Sequence, residues 1–542
     1  MKKLKTSLII LSLILSASFA TMLVACNNDN KNNDPNVLII GTTAQIEKAI
    51  YGEYNYDMLA SGVAEMPLVS QTSDGRFEPL LAEFSSNDSK NWTFTIKDGM
   101  CWSDGISVTA EDILYTLQYD DRNGSANFED KTDSSGKTTQ KKYENYLISQ
   151  DKKSITLTQV TPNVRELTNM TSFRVMPKHI YQDKASVTDN EARITCGPYM
   201  LESFNKTANT LTFTKNPHFP VSPKWKKVIY RLFSNEDTMY LALKNGDLDT
   251  VWAYSSGVSK TYQDMLKNSG IVLEAMPVTN APAVLTFNNN KGLFADKNLR
   301  LAVSCALDYS AFKNYFGSAY SQDPNRGFVP TTTVGYKQTP KLAHDTQKAN
   351  EYMNAAGYTK SGKYYNKNGT VAQFSLTVNG SKTTHLGIAE FIKTQLEEFG
   401  IKVDLDVCDA TAYNAKTSNK FSQNNVTMEA AVMGYTSAGM SMEEGLGSIY
   451  INGEHAVQGG AQIFDSELTS ILSEMKNANT LLDYQTAAAK LQDFYAESVP
   501  VIALYWDSLI IAHSTKLTNV TLDAVFGINN INNLFTATKR ID

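Results

Sequence analysis

Residues 386–407 read LGIAEFIKTQLEEFGIKVDLDV. Leu386 to Phe399 has helical periodicity and is closed by Gly400, and Ile401 to Val407 then alternates apolar and polar with period two. A helix delivered straight into a strand is the unit of an α/β protein, and the alternation recurs in both directions. Upstream, Val37–Ile40, Trp92–Ile96 and Leu211–Thr214 read as strands, and helices are expected at 236–245 and 296–307. Downstream, helices at about 465–478 and 480–497 stop before Pro500 and lead into the hydrophobic run Val501–Tyr505. Residues 120–142 are almost entirely polar and read as a surface loop.

The chain has 542 residues, and one hydrophobic core stops growing at roughly 250–300, so at least two packed lobes are required. Apolar residues at 42% and charged residues at 20% fit neither wholesale disorder nor a multi-span membrane protein. Lys+Arg 50 against Asp+Glu 56 leaves a charge of −6, which argues against a nucleic-acid partner, since phosphate contacts need a basic face.

The amino terminus reads as an address. Lys2, Lys3 and Lys5 precede an uncharged apolar run from Leu8 to about Ala25, as in a secretory signal. The run ends in Leu23-Val24-Ala25-Cys26, which matches the bacterial lipobox, so Cys26 is expected to become the lipidated first residue of the mature chain. Residues 1–25 are then a lipoprotein signal peptide. Residues 26–36, polar and rich in Asn, are a tether too poor in apolar surface to order itself. Cys101, Cys196, Cys305 and Cys408 are widely spaced, and disulfides and free thiols both stay open.

No motif nominates catalysis. Gly357 to Lys363 fits G-x-x-x-x-G-K, but Tyr364 replaces the hydroxyl that would hold magnesium. The string also follows a helix and enters a hairpin at Asn366–Gly369, the reverse of a phosphate-binding loop. The six histidines never reach metal-ligand spacing, and Glu443-Glu444 reads as a solvated pair. The chain is read as a non-enzyme without a cofactor or metal. Aromatic groups at Tyr51, Tyr54 and Tyr56, at Trp252 and Tyr254, and at Tyr435 fit either core packing or a pocket wall.

Ordered blocks across the mature chain carry a resemblance. They are Pro67-Leu68-Val69, DGRFEPLLAE (74–83), WTFTIKDGMCWSDG (92–105), VTAEDILYTL (108–117), GPYMLESF (197–204), NGDLD (245–249), the stretch 285–308, AGY (356–358) and SVPVIALYW (498–506). Together they resemble the family 5 extracellular solute-binding proteins of ABC importers, the oligopeptide, dipeptide and nickel group. The resemblance implies a two-lobed clamshell of the periplasmic-binding-protein type, class II, with an extra subdomain on lobe I. Lobe I would comprise 37–278 plus 500–542, with the subdomain at about 67–175, and lobe II 279–499. Crossovers are expected near Pro277 and Pro500.

The implied function is a lipid-anchored, monomeric receptor that captures small peptides and delivers them to an ABC permease. It would sit on the extracellular face of a bacterial cell membrane, of the Gram-positive kind. Trp252, Tyr254, Tyr435 and Ser437 are the ligand-binding candidates that the resemblance implies. Peptide-binding members place an Asp shortly after a Gly-aromatic pair, whereas Gly434-Tyr435-Thr436-Ser437-Ala438-Gly439 has none. Either Glu443 or Glu444 replaces it, or the solute is not a free-amine peptide, with a chelated metal such as nickel or an oligosaccharide as the alternative. A surface hydrolase is the remaining reading.

Overall fold

The computed structural model describes residues 34–72, 76–132, 138–184, 194–253, 257–331, 333–418, 425–436, 460–478, 480–523 and 526–540. Its organising element is the 17-residue strand Ile271–Phe287, which contains Pro277 and Pro282. Proline has no N–H to give to a ladder, so pairing must break around each one. Register shifts fall between Ala275 and Val278 and between Ala281 and Val284. From Ile271 to Asn280 the strand pairs antiparallel with Asp507–Ser514; from Asn280 onward it pairs with Ala430–Thr436, and from Val284 to Thr286 also with Val501–Ala503.

One 11-stranded sheet thus runs through two α/β bodies. Its first half orders Tyr199–Asn205, Thr210–Lys215, Lys227–Leu232, Val37–Thr42, Thr250–Val251 and Asp507–Ser514. The long strand follows, then Ala430–Thr436, Gln373–Asn379 and Lys402–Cys408. Leu38, Phe94, Phe213, Trp225 and Leu534 share the core of the first body. The second body buries two layers, one holding Leu285, Phe374, Ile392 and Val403, the other Tyr435, Leu491, Tyr495 and Trp506. Ala430 and Val432 point into one layer and Met433 and Tyr435 towards the other, the period of two of a strand buried on both faces. Residues 501–506 also contribute to these layers, and the strand Asp507–Ser514 that follows them pairs with the long strand.

Local rules explain most boundaries. The helix Thr383–Phe399 buries Ile388, Ala389, Ile392, Leu396 and Phe399, one stripe at helical spacing, each such side chain being worth about 1.5–3 kcal/mol. The helix Ala110–Arg122 opens with Thr109 N–H donating to Asp112 Oδ2 at 2.8 Å. The helix Glu236–Asn245 is ended by Gly246 at φ +83°, a left-handed conformation that costs glycine nothing. Gly197 answers a different need: a Cβ there would lie 2.2 Å from the carbonyl oxygen of Ala64. The stretch 120–142 is less of a loop than its polarity suggests, since the helix continues to Arg122 and Lys131–Thr132 pairs with Thr138–Thr139.

A four-stranded antiparallel sheet of Ala82–Ser85, Asn91–Ile96, Ser154–Gln159 and Tyr143–Ile148 adds a separate layer to the first body. Gly357 lies just past the helix Thr346–Ala355, and Thr359–Ser361 and Tyr364–Lys367 form a hairpin, so the glycine-lysine string has no helix amino terminus to offer a phosphate. Cys101, Cys196, Cys305 and Cys408 are free thiols.

Candidate functional site

Strand direction locates the site. Val37–Thr42 runs parallel with Lys227–Leu232 and Thr250–Val251. Thr250–Val251 is antiparallel to Asp507–Ser514, which is antiparallel to the long strand, so the first body's parallel strands share the direction of Ile271–Phe287. They point towards the second body. There, Gln373–Asn379, Lys402–Cys408 and Ala430–Thr436 are mutually parallel and run against the long strand, so they point back. The carboxyl ends of both parallel sets therefore face each other across the proline-interrupted stretch 277–283. Crevices outside the carboxyl ends of parallel strands are where open α/β sheets bind ligands.

Trp252 and Tyr435 lie at these ends, but their rings are tucked inward. Trp252 follows Thr250–Val251, is 5% exposed and donates from Nε1 to the Phe526 carbonyl at 3.1 Å. Tyr435 lies on Ala430–Thr436, 4% exposed, with its ring centroid 5.1 Å from Phe328 and 6.1 Å from Trp506. Burial pushes its phenol well above the ordinary range, so it stays neutral. The two residues therefore sit in separate cores, one per body. Tyr254, Ser437, Glu443, Glu444 and Cys26 lie outside the described residues.

Polar groups that composition did not nominate line the crossing. Asp507, 5% exposed, accepts from Ser318 N–H (2.8 Å), Ser318 Oγ (2.5 Å), Ser321 Oγ (3.2 Å) and Ser508 N–H (2.8 Å). His385, in the first turn of Thr383–Phe399, donates from Nε2 to the Pro282 carbonyl at 3.0 Å. Burial, with Lys382 adding to it, lowers its pKa to about 4, so the imidazole is neutral near pH 7. Asp507 had a visible signal, a lone acid between Tyr505-Trp506 and Leu509-Ile510-Ile511. The role of His385 had none.

In the first body, Arg174 lies against both Asp57 and Glu65, and Gly52 N–H donates to the Asp57 carboxylate. Arg174 Nη2 lies 3.4 Å from Asp57 Oδ2, and its Nε 3.7 Å from Glu65 Oε2. Burial drives both carboxyls above their ordinary range while the guanidinium pulls them back. The crevice edged by Ser61, Thr171, Asp523 and Asn530 encloses about 20 Å³, room for about one water molecule. Among the described residues no group of His, Cys, Asp and Glu could hold a metal ion, and no helix is long and apolar enough to cross a membrane.

Residues 76–455, more than half of the chain, match the family model described as bacterial extracellular solute-binding proteins, family 5 middle. The chain is a family 5 solute-binding protein. It is 23% identical over 361 residues to the nickel-binding periplasmic protein of Escherichia coli (strain K12), an alignment covering 64% of this chain and 66% of that one. It is 23% identical over 380 residues to the oligopeptide-binding protein OppA of Bacillus subtilis (strain 168), covering 66% and 68%. The chain thus spans only about two thirds of the length of these curated relatives. The crystal structure of the ABC transporter substrate-binding protein CtaP from Listeria monocytogenes superimposes with a TM-score of 0.75 at 20% identity, over 92% of this chain and 99% of that one. The two-lobed family fold is therefore the fold of this chain.

Proposed function

We propose that this family 5 protein captures small peptides between its two bodies and delivers them intact to the permease of an ABC importer. The observation that carries the reading is the opposition of the two sets of strand carboxyl ends across a crossing broken by Pro277 and Pro282. A solute touching both bodies binds the closed arrangement better than the open one and shifts the population towards it. No covalent step is needed. Trp252, Tyr254, Tyr435 and Ser437 mark the segments proposed to meet the solute. Lobe boundaries at 37–278 plus 500–542 and at 279–499 belong to the same proposal, as does a single copy per receptor.

The tetrapeptide ending at Cys26 supports a lipid anchor on the outer face of the membrane, which would hold the receptor beside its permease. The similarity to a nickel-binding protein keeps a chelated metal as the second reading. The purified protein is to be incubated with peptide pools, nickel-histidine chelate and oligosaccharides, and the retained material identified by mass spectrometry. Intact peptide is expected. Retention of the chelate or the saccharide alone overturns the choice of solute, and shortened peptides overturn the non-enzyme reading.

A further inference from the structure

Away from the crossing strands the described residues join the two bodies at more than one point: Lys260 Nζ donates to the Asn314 carbonyl at 2.8 Å, and a loop of the first body reaches the second. The loop Thr161–Arg165 leaves the four-stranded sheet of the first body after Ser154–Gln159. It is pinned there at Asn163, whose carbonyl accepts from Trp92 Nε1 at 3.2 Å and whose N–H donates to the Ser89 carbonyl at 2.8 Å. Asn163 Oδ1 then accepts from Arg165 N–H at 3.0 Å, which fixes the direction of the next two side chains. Both reach the second body. Val164 packs against the apolar layer of Tyr435, Tyr484, Leu491 and Tyr495. The Arg165 guanidinium carbon lies 5.1 Å from the ring centroid of Tyr484, in the first turn of the helix Leu481–Ser498. Tyr484 is 1% exposed, so its ring is a fixed platform.

We infer that Val164 and Arg165 form a latch that holds the two bodies together and favours the closed arrangement before any solute is bound. The inference rests on the proposal that the bodies open and close. An apolar side chain and a planar cation on an aromatic face make a contact that needs no solute and is lost once the bodies separate. A partly desolvated guanidinium on a phenol ring is strong enough to change the closed-to-open ratio by about three- to tenfold. Lysine, a strongly hydrated point charge without a flat face, would keep only part of it.

The test uses the full chain with Cys101 and Cys305 replaced by Ser and spin labels at Asn87→Cys and Ser473→Cys, both exposed and one on each body. Interlobe distances are read by pulsed electron paramagnetic resonance without solute and with a pool of two- to six-residue peptides. In solute-free Arg165→Ala and Tyr484→Leu the longer-distance population is expected to rise by about three- to tenfold. The double variant should rise no further than either single one, and Arg165→Lys should fall between. Distributions superimposable on the parent in both single variants overturn the latch. Should Tyr484→Leu lose its thermal transition, Arg165→Ala, whose side chain is half-buried, decides alone. A distance that no variant and no peptide moves defeats the opening of the bodies itself, whereas movement with peptide but not with Arg165→Ala defeats only the latch.

Discussion

Ser318 Oγ donates to Asp507 Oδ1 at 2.5 Å while Ser318 N–H donates to Oδ2 at 2.8 Å, so one residue holds both oxygens of a buried carboxylate. Asp507 is the first residue of the strand that returns to the first body, and Ser318 follows the helix Tyr309–Phe316 of the second. The pair fastens the second body to the point where the chain leaves it. Asp507→Ala strands several donors that no longer have an acceptor, at a cost on the order of 3 kcal/mol. Urea unfolding is expected to show that loss, with Asp507→Asn in between because one oxygen remains. Equal stability of Asp507→Ala and the parent would show that the carboxylate is dispensable.

Trp252 separates a core role from a pocket role. Trp252→Phe keeps a ring but removes the donor to the Phe526 carbonyl, 274 residues away. A loss of about 1–3 kcal/mol in unfolding free energy is expected from the missing hydrogen bond and the vacated volume. Affinity for whatever solute the binding screen identifies should change little. The reverse pattern, unchanged stability with weakened binding, would mean the ring reaches the solute.

How much could be read from residues alone follows from the range of each interaction. The helix Thr383–Phe399 and its strand were legible because periodicity is local, and so was Gly246, which ends its helix through its own φ. The crossover near Pro277 was expected only from the family resemblance, not from any local pattern. Asp507 was visible as an oddity, but its partner Ser318 lies 189 residues away, and no local pattern encodes that distance. Trp252 and Tyr435 show a further limit. Large aromatic side chains suit cores and pockets equally, so their type could not reveal that the rings turn inward. Arg165 and Tyr484 come from different bodies and left no trace in spacing.

Asp249, at the end of the NGDLD run, pairs with Lys539 at 2.9 Å, both side chains about 5% exposed or less, and its other oxygen accepts from Ile39 N–H at 2.8 Å. The pair ties the carboxyl-terminal strand Thr538–Lys539 to the middle of the sheet. Lys539→Met leaves the carboxylate buried without its cation and is expected to cost about 3–5 kcal/mol. Adding Asp249→Asn should recover part of that loss, because the uncompensated charge is gone. A double variant less stable than Lys539→Met, measured by urea unfolding, would contradict this account.

The neutral imidazole of His385 makes stability depend on pH in a stated direction. Its folded pKa is lowered to about 4, against about 6.5 in an unfolded chain, because burial disfavours the charged form. Between those values the unfolded chain binds more protons than the folded one, so the stability that the neutral ring preserves is complete above about pH 6.5 and is lost as pH falls towards 4. The full loss is on the order of 3 kcal/mol. His385→Gln removes the titration while an amide can still donate to the Pro282 carbonyl. Unfolding free energies at half-unit steps from pH 4 to 8 should show the parent falling more steeply than the variant below about pH 6.5 and parallel to it above. Parallel curves through the whole range would mean that His385 titrates as if exposed, and the packing around Pro282 would have to be looser than the 3.0 Å contact implies.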